Sequence, residues 1–179
     1  MSNRQTMERS EIIETVRLGK HYIEKAEQAR WRVMESHHRY EEAMSKLDKL
    51  RRRMVFVESG TPENLELVSA IIEVEEARKL KNVSEIKLKN SLTSSFSYTL
   101  SAYESMSGDS SYVANQILSV LRQAVLIIRS VRELSVDFSS ILAQVIRIKF
   151  MVFYSGTDEG SVYRRNILRH LNQLINSIE

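Results

Sequence analysis

The sequence predicts an all-α fold, an elongated antiparallel bundle of three long, coiled-coil-like helices followed by a short C-terminal helix. Only one proline and five glycines occur among the 179 residues, so little interrupts a helix. Two long segments also carry apolar residues at alternating spacings of four and three, a third does so at both of its ends, and turn-forming residues separate these segments. The length suits one domain over 1–179, with helices at about 10–58, 62–106, 110–154 and 161–178.

The first helix has a continuous apolar seam whose residues become larger along the chain. Ala26 and Ala29 lie in the first half, where a neighbouring helix should approach closely, whereas Leu47 and Leu50 lie in the second half. Its favourable i,i+4 charge pairs also support a helix. The full seam is Tyr22, Ala26, Ala29, Val33, Ser36, Tyr40, Ala43, Leu47, Leu50, Met54 and Val57.

A compact turn should separate the first helix from the second. Gly60 suits a helix C-terminus, Thr61 an N-cap and Pro62 the first helical position, so the second helix should run antiparallel to the first. Within it, five apolar residues fall three apart, which rotates the apolar face around the helix. The sequence leaves open whether the helix breaks at 82–84 or its contacts move around it. These residues are Val74, Ala77, Leu80, Val83 and Ile86.

The third segment has the longest seam, and its apolar face is wider than one neighbour can cover. The third helix should therefore be central or lie in a homodimer interface. For self-association we select Leu121, Ile128 and Leu142 beside the seam and Leu171 on the last helix. The twelve seam residues are Val113, Ile117, Val120, Ala124, Ile127, Val131, Leu134, Phe138, Ile141, Val145, Ile148 and Val152.

No residue pattern in the chain favours catalysis. Cysteine is absent, and neither a Gly-x-Ser-x-Gly motif nor a glycine-rich phosphate loop occurs. A di-iron site in a helical bundle needs two Glu-x-x-His motifs, but the chain has only Glu35-x-x-His38, which lies off the seam. The sequence therefore predicts a protein that is not an enzyme, with no cofactor and no metal.

Basic residues suggest where a partner binds. The chain carries a net charge of +3. If the third helix runs the full length of the bundle, position 148 lies near position 68, and basic residues from three helices meet at one end. This end should bind an anionic partner, either an acidic protein or an anionic membrane; without interleaved aromatic residues it does not favour nucleic acid. Its residues are Arg51, Arg52, Arg53, Arg147, Lys149, Arg164, Arg165 and Arg169.

These features predict a non-enzymatic interaction or scaffold protein that self-associates and binds an anionic partner. The N-terminal residues do not resemble a signal peptide, and no apolar run reaches 18 residues, so we expect a cytoplasmic location. Over residues 10–155, the number and length of the helices resemble BAR domains, which implies binding and bending of membranes by crescent-shaped dimers. A subunit of a viral or filamentous assembly is a further alternative.

Overall fold

The computed structural model describes residues 9–54, 62–105, 111–154 and 162–179, and within them it contains five α-helices and no strand. The predicted all-α class is therefore confirmed. The turns expected at 59–61 and 107–110, the seam residue Val57 and the loop at 155–160 lie outside the described residues. The helices are α1 (Arg9–Arg53), α2 (Pro62–Ser105), α3 (Ser111–Ser130), α4 (Ser139–Tyr154) and α5 (Val162–Ile178).

Helices α1 and α2 form a long antiparallel hairpin. Near one end the rings of Tyr22 and Tyr98 stack with their centroids 5.6 Å apart. Near the other end Lys46 Nζ lies 2.9 Å from a carboxylate oxygen of Glu73. Helix α2 is continuous through 82–84, which answers the question that the sequence left open. The contacts of α2 therefore move around a single unbroken helix.

The α1 seam faces α2 as predicted, with Ala26, Val33 and Leu47 buried along it. The sequence placed a close approach of the two backbones near Ala26 and Ala29, but the closest approach that hydrogen bonds define lies two to three turns earlier, at Gly19. There the Ser95 hydroxyl donates a hydrogen bond of 2.7 Å to the Gly19 carbonyl. Because Gly19 has no side chain, α2 can lie directly against the α1 backbone at this point.

The predicted third helix, 110–154, is divided in two, which corrects the sequence-based arrangement of three long helices. Helix α3 ends at Ser130, a 3₁₀ turn follows, and Ser135 takes the left-handed conformation with φ of 55°. Helix α4 then begins at Ser139, whose backbone N–H donates a hydrogen bond of 2.9 Å to Asp137 Oδ1. The aspartate thus caps a new helix. The chain reverses here, so α4 runs in the opposite direction to α3, and α5 packs against both helices.

The apolar seam nevertheless remains buried across this break. Val131 and Phe138 lie on either side of it, and both are buried. Their separation of seven residues equals two turns of a coiled-coil helix. A separation of seven residues between two buried side chains is therefore compatible with one continuous helix. It is equally compatible with two helices joined by a turn, provided that both helices face the same core.

Helix α5 completes the core by packing against α3 and α4. Arg122 Nε donates a hydrogen bond of 3.2 Å to His170 Nε2, and Arg129 Nε donates one of 3.0 Å to the hydroxyl of Ser177. Both pairs are 48 residues apart, so α3 and α5 run parallel. Since Nε2 of His170 accepts, its Nδ1 carries the hydrogen and donates to the Asn166 carbonyl, 2.8 Å away.

The molecule therefore has two parts, a five-helix body and a two-helix arm. In the body, α3 and α4 pack on the hairpin near the start of α1 and the end of α2, and α5 packs on α3 and α4. The arm comprises residues 37–54 of α1 and 64–87 of α2, and its own small core contains Leu47, Leu50 and Ala70. Two long helices and three shorter ones do not match the helix lengths on which the resemblance to BAR domains was based.

Candidate interaction surfaces

The residues selected for self-association lie largely inside the chain. Leu121, Ile128 and Leu171 are fully buried in the main core, and Leu142 is half-buried. The reversal of the chain after α3 brings α5 against α3, so α5 and the hairpin cover the wide apolar face that motivated their selection. These four side chains therefore do not form a free surface in the single chain, and self-association needs a different face.

Helix α3 also satisfies the length and hydropathy of a membrane span, with a mean hydropathy of 1.3 over a window of its 20 residues. More than half of that window is buried within the protein. Val120, Ala124 and Ile127 are among the side chains that face the core. Packing among α3, α5 and the hairpin accounts for this composition without a membrane.

The basic residues do not gather at one end, contrary to the prediction from the sequence. Arg51, Arg52 and Arg53 are exposed in the last turn of α1, at the tip of the arm. Ile148 lies beside Thr99 and Tyr103 in the body rather than beside position 68. Along α2 the two levels are more than 30 residues apart, about 45 Å at 1.5 Å per residue. The break between α3 and α4 is the cause, because α4 returns to the body.

The arginines at the tip have a structural explanation of their own. Positive charges in the last turn of a helix interact favourably with its macrodipole. Arg53 also lines a shallow groove with Lys49 and Glu66, so an acidic side chain lies near it. The tip by itself therefore gives no reason to expect an anionic ligand.

Arg164 stabilises the junction between α4 and α5. Its Nε donates a hydrogen bond of 3.1 Å to the Val152 carbonyl, and its Nη2 donates to the carbonyl of Phe153. These carbonyls belong to the last turn of α4, where a donor from outside the helix stabilises the helix end. The sequence did not account for an arginine at the start of α5, but the geometry does, since it caps the preceding helix.

Three exposed aromatic side chains at the end of α4 form a surface that we call the aromatic corner: Phe150, Phe153 and Tyr154. Their exposed fractions are 56%, 54% and 76%. The Tyr154 ring stacks on Phe150 with centroids 6.3 Å apart and meets Phe153 edge-on at 5.2 Å. The three rings therefore form one apolar projection. The sequence carried a signal for it that was not used, because all three residues lie off the buried seam.

Basic residues occur on both helices that meet at the aromatic corner, and the guanidinium of Arg164 lies over the Phe153 ring, 5.9 Å from its centroid. Arg147 is exposed one turn before Phe150 on the same side of α4, and Lys149 is half-buried beside it in the chain. Arg165 and Arg169 lie on the exposed side of α5. Helices α4 and α5 contain five Lys and Arg residues and no Asp or Glu. Asp158 and Glu159, which join the two helices, lie outside the described residues.

A second exposed apolar surface lies on the outer side of α2 in the arm. The sequence showed apolar residues at steps of three, which rotate the apolar face around α2. Ala77 still faces α1 and is buried, whereas Leu80, Val83 and Ile86 are about half exposed. Steps of three residues turn the side chain about 60° further each time, away from α1. Leu88 then returns to the core. Part of the apolar face of α2 thus points away from its own hairpin.

The histidines near the middle of α1, His37 and His38, each contact a glutamate. Glu35 and His38 are exposed and pair with Arg39 and Glu42, respectively, on the same helix. Within the described ranges no three His, Cys, Asp or Glu residues lie close enough to hold a metal ion. His37 instead joins α1 to α2, because its Nε2 lies 2.6 Å from an oxygen of Glu85 and both side chains are shielded from water.

Comparison with protein families, curated proteins and solved structures gives no match to this chain. A function must therefore be argued from the surfaces described above.

Proposed function

We propose that this protein acts by binding rather than by catalysis, and that the aromatic corner attaches it to an anionic membrane surface. The observation that supports this proposal is the three-ring projection of Phe150, Phe153 and Tyr154 on helices whose charged residues are all basic. Aromatic rings prefer the boundary between lipid headgroups and acyl chains. Basic residues beside them add about 1 kcal/mol each through attraction to anionic lipids.

Lipid suits this corner better than nucleic acid does. Recognition of single strands relies on separate rings whose faces are open to stack on successive bases. Here the Tyr154 ring packs against both phenylalanines, so the rings support one another as a single apolar mass. Such a projection can enter an interface as a unit, while the guanidinium of Arg165 stays in water near the headgroups.

Co-sedimentation with vesicles tests the proposal. We expect binding to vesicles that contain phosphatidylserine, weaker binding to vesicles of phosphatidylcholine alone, and loss of binding at high salt. Replacing both Phe150 and Phe153 with serine should weaken binding by about tenfold or more, because two rings leave the interface. The double change Arg147→Glu and Arg165→Glu should weaken it by a similar factor.

Two matched variants provide controls at exposed positions far from the corner in the chain. Leu126→Ser removes an apolar side chain that is 66% exposed on α3, and Lys20→Glu reverses a charge on α1. Both should bind as the parent protein does. Absence of vesicle binding at low salt would overturn the proposal. So would tighter binding of the corner to a single-stranded oligonucleotide than to the vesicles.

A further inference from the structure

A row of side chains follows the outer side of α2 along the arm; we call it the outer stripe. It consists of two apolar groups separated by one acidic and one basic residue, and successive members lie three or four positions apart, as on one face of a helix. The apolar members are between 48% and 75% exposed. The stripe comprises Leu65, Val68, Ile72, Glu76, Lys79, Val83 and Ile86.

The same side of α2 is covered in the body but not in the arm. In the body, the side-chain amide of Gln144 on α4 donates hydrogen bonds of 3.0 Å to the Thr93 carbonyl and 3.2 Å to the Ser97 hydroxyl. Thr93 and Ser97 continue the helical face of the stripe. No described helix other than α1 packs against α2 in the arm, and α1 lies on the opposite side.

The outer stripe has a near-palindromic order about a point between residues 77 and 78. Ile72 and Val83 lie equally far from this point on either side, and so do Glu76 and Lys79. Val68 and Ile86 match to within one residue. When two copies of a helix pair about a twofold axis, each residue meets its counterpart from beyond the midpoint. Here that rule places Ile72 against Val83 and the Glu76 carboxylate against the Lys79 ammonium group, while Leu65 at the start of the stripe falls opposite Asn90.

Charge favours a second copy in the antiparallel direction. Within the described part of the chain, neither Glu76 nor Lys79 takes part in an ion pair. Acidic residues predominate before the midpoint and basic residues after it: Glu66, Glu73, Glu75 and Glu76, then Arg78, Lys79, Lys81 and Lys87. Glu76 and Lys79 are the members of this series that lie on the outer stripe, so an antiparallel partner aligns opposite charges at the centre of the stripe, whereas a parallel partner would align like charges.

We propose that two copies of this chain dimerise through the outer stripe, with the α2 helices antiparallel about a twofold axis between residues 77 and 78. Ile72 then packs against the partner's Val83, and Glu76 pairs with the partner's Lys79. The two arms form a four-helix bundle that brings the two bodies to opposite ends. This dimer does not depend on membrane binding, because the aromatic corner lies on α4 in the body.

Charge reversal tests the facing pair. Sedimentation equilibrium should show a dimer that dissociates on dilution. Glu76→Lys and Lys79→Glu alone should each raise the dissociation constant about tenfold or more, because like charges then meet twice across the axis. The double variant should restore dimerisation, since the exchanged charges are again complementary. Far-UV circular dichroism should stay unchanged, because both side chains are exposed.

Variants at apolar positions test whether the outer stripe is the dimer interface, separately from which residues face each other across it. Ile72→Asp should give a monomer, while Leu126→Asp on α3 should leave the dimer intact. A protein that is monomeric at all concentrations would overturn the proposal. If Ile72→Asp gives a monomer but the charge variants have no effect, the stripe is an interface and the proposed register is wrong.

Introduced cysteines test the register directly, because the chain has none of its own. In the proposed dimer two copies of position 72 are separated by 11 residues along the helix, about 16 Å. Ile72→Cys protein alone, and Val83→Cys protein alone, should therefore not cross-link to themselves with a short bismaleimide. A mixture of the two should cross-link efficiently. Efficient cross-linking of either variant with itself would indicate a parallel or shifted pairing and overturn the proposal.

Discussion

At the scale of single residues, Asp137 accounts for the start of α4. Its carboxylate accepts the hydrogen bond from the backbone N–H of Ser139, in the first turn of that helix. The hydrogen bonds from the Ser139 backbone and side chain, with a smaller contribution from the charge of Lys89, lower the pKa of Asp137 below 3.8. The ionised form is therefore favoured in the folded protein over the unfolded one.

Because the folded pKa of Asp137 is lowered, its charge stabilises the fold above pH 3.8, and this contribution is lost as the pH falls through the folded value. We expect Asp137→Asn, which cannot ionise, to have a lower Tm than the parent protein at neutral pH. The difference should be constant down to about pH 4 and then shrink in more acidic solution. Thermal unfolding across a pH series checks this. A difference that is unchanged in strong acid would contradict the assignment.

At the scale of elements, the crossing of α1 and α2 at Gly19 sets how closely the hairpin helices pack. A Cβ atom at this position would lie 3.2 Å from Thr99 Oγ1 and 3.6 Å from the Ser95 carbonyl oxygen. The Thr99 hydroxyl is itself held by a hydrogen bond of 2.8 Å to Ser95. The surroundings therefore include backbone and a tethered side chain, which cannot easily make room for a larger residue.

Gly19→Leu should consequently lower the free energy of unfolding by about 1–3 kcal/mol, because a large side chain forces the two helices apart. Lys20→Leu is the matched control, since position 20 is exposed on the same helix and the same side chain there should change stability little. Urea unfolding followed by circular dichroism measures both. Equal midpoints for Gly19→Leu and the parent protein would show that the crossing is less tight than described.

The elements also show which features were predictable from the sequence. The seam of α1 and the twelve-residue seam of α3 and α4 were found by their spacing, because burial of one face demands that spacing in any helical arrangement. The break between Val131 and Phe138 was not predicted, because these two seam residues are seven positions apart and that separation occurs both in a continuous helix and across a turn. Asp137 before Ser139 was the available signal, a cap inside an apolar pattern.

The candidate surfaces were harder to predict than the core. Placing Arg147 beside Arg51 required the relative register of helices far apart in sequence, and one missed reversal displaced it by tens of ångströms. In contrast, the sequence showed that the apolar face of α2 rotates around the helix toward Val83 and Ile86. Only the position of α1 shows that these residues end up facing outward.

At the scale of the whole molecule, stability should differ between the arm and the body. The arm has a small core around Leu47, Leu50 and Ala70, supported by the half-buried Leu67 and Val74. The body buries large side chains from all five helices in one cluster. Local opening is easiest where few apolar contacts oppose it.

Hydrogen exchange should therefore be on the order of tenfold faster at the amides of 43–50 and 67–74 than at those of 92–102 and 117–128. Mass spectrometry of exchanged peptides measures this, at a protein concentration low enough to dissociate any dimer. Uniform protection along α1 and α2 under these conditions would mean that the arm and the body open together as one unit.

The parallel packing of α5 against α3 has a consequence for synthesis on the ribosome. The α1–α2 hairpin can form as soon as both of its helices have emerged, because most of its contacts are between α1 and α2. The part of the apolar face of α3 that α5 covers, including Leu121, stays uncovered until residues 162–178 have been translated. A chain that stalls before α5 presents this face to other nascent chains, so aggregation is the expected outcome of incomplete translation.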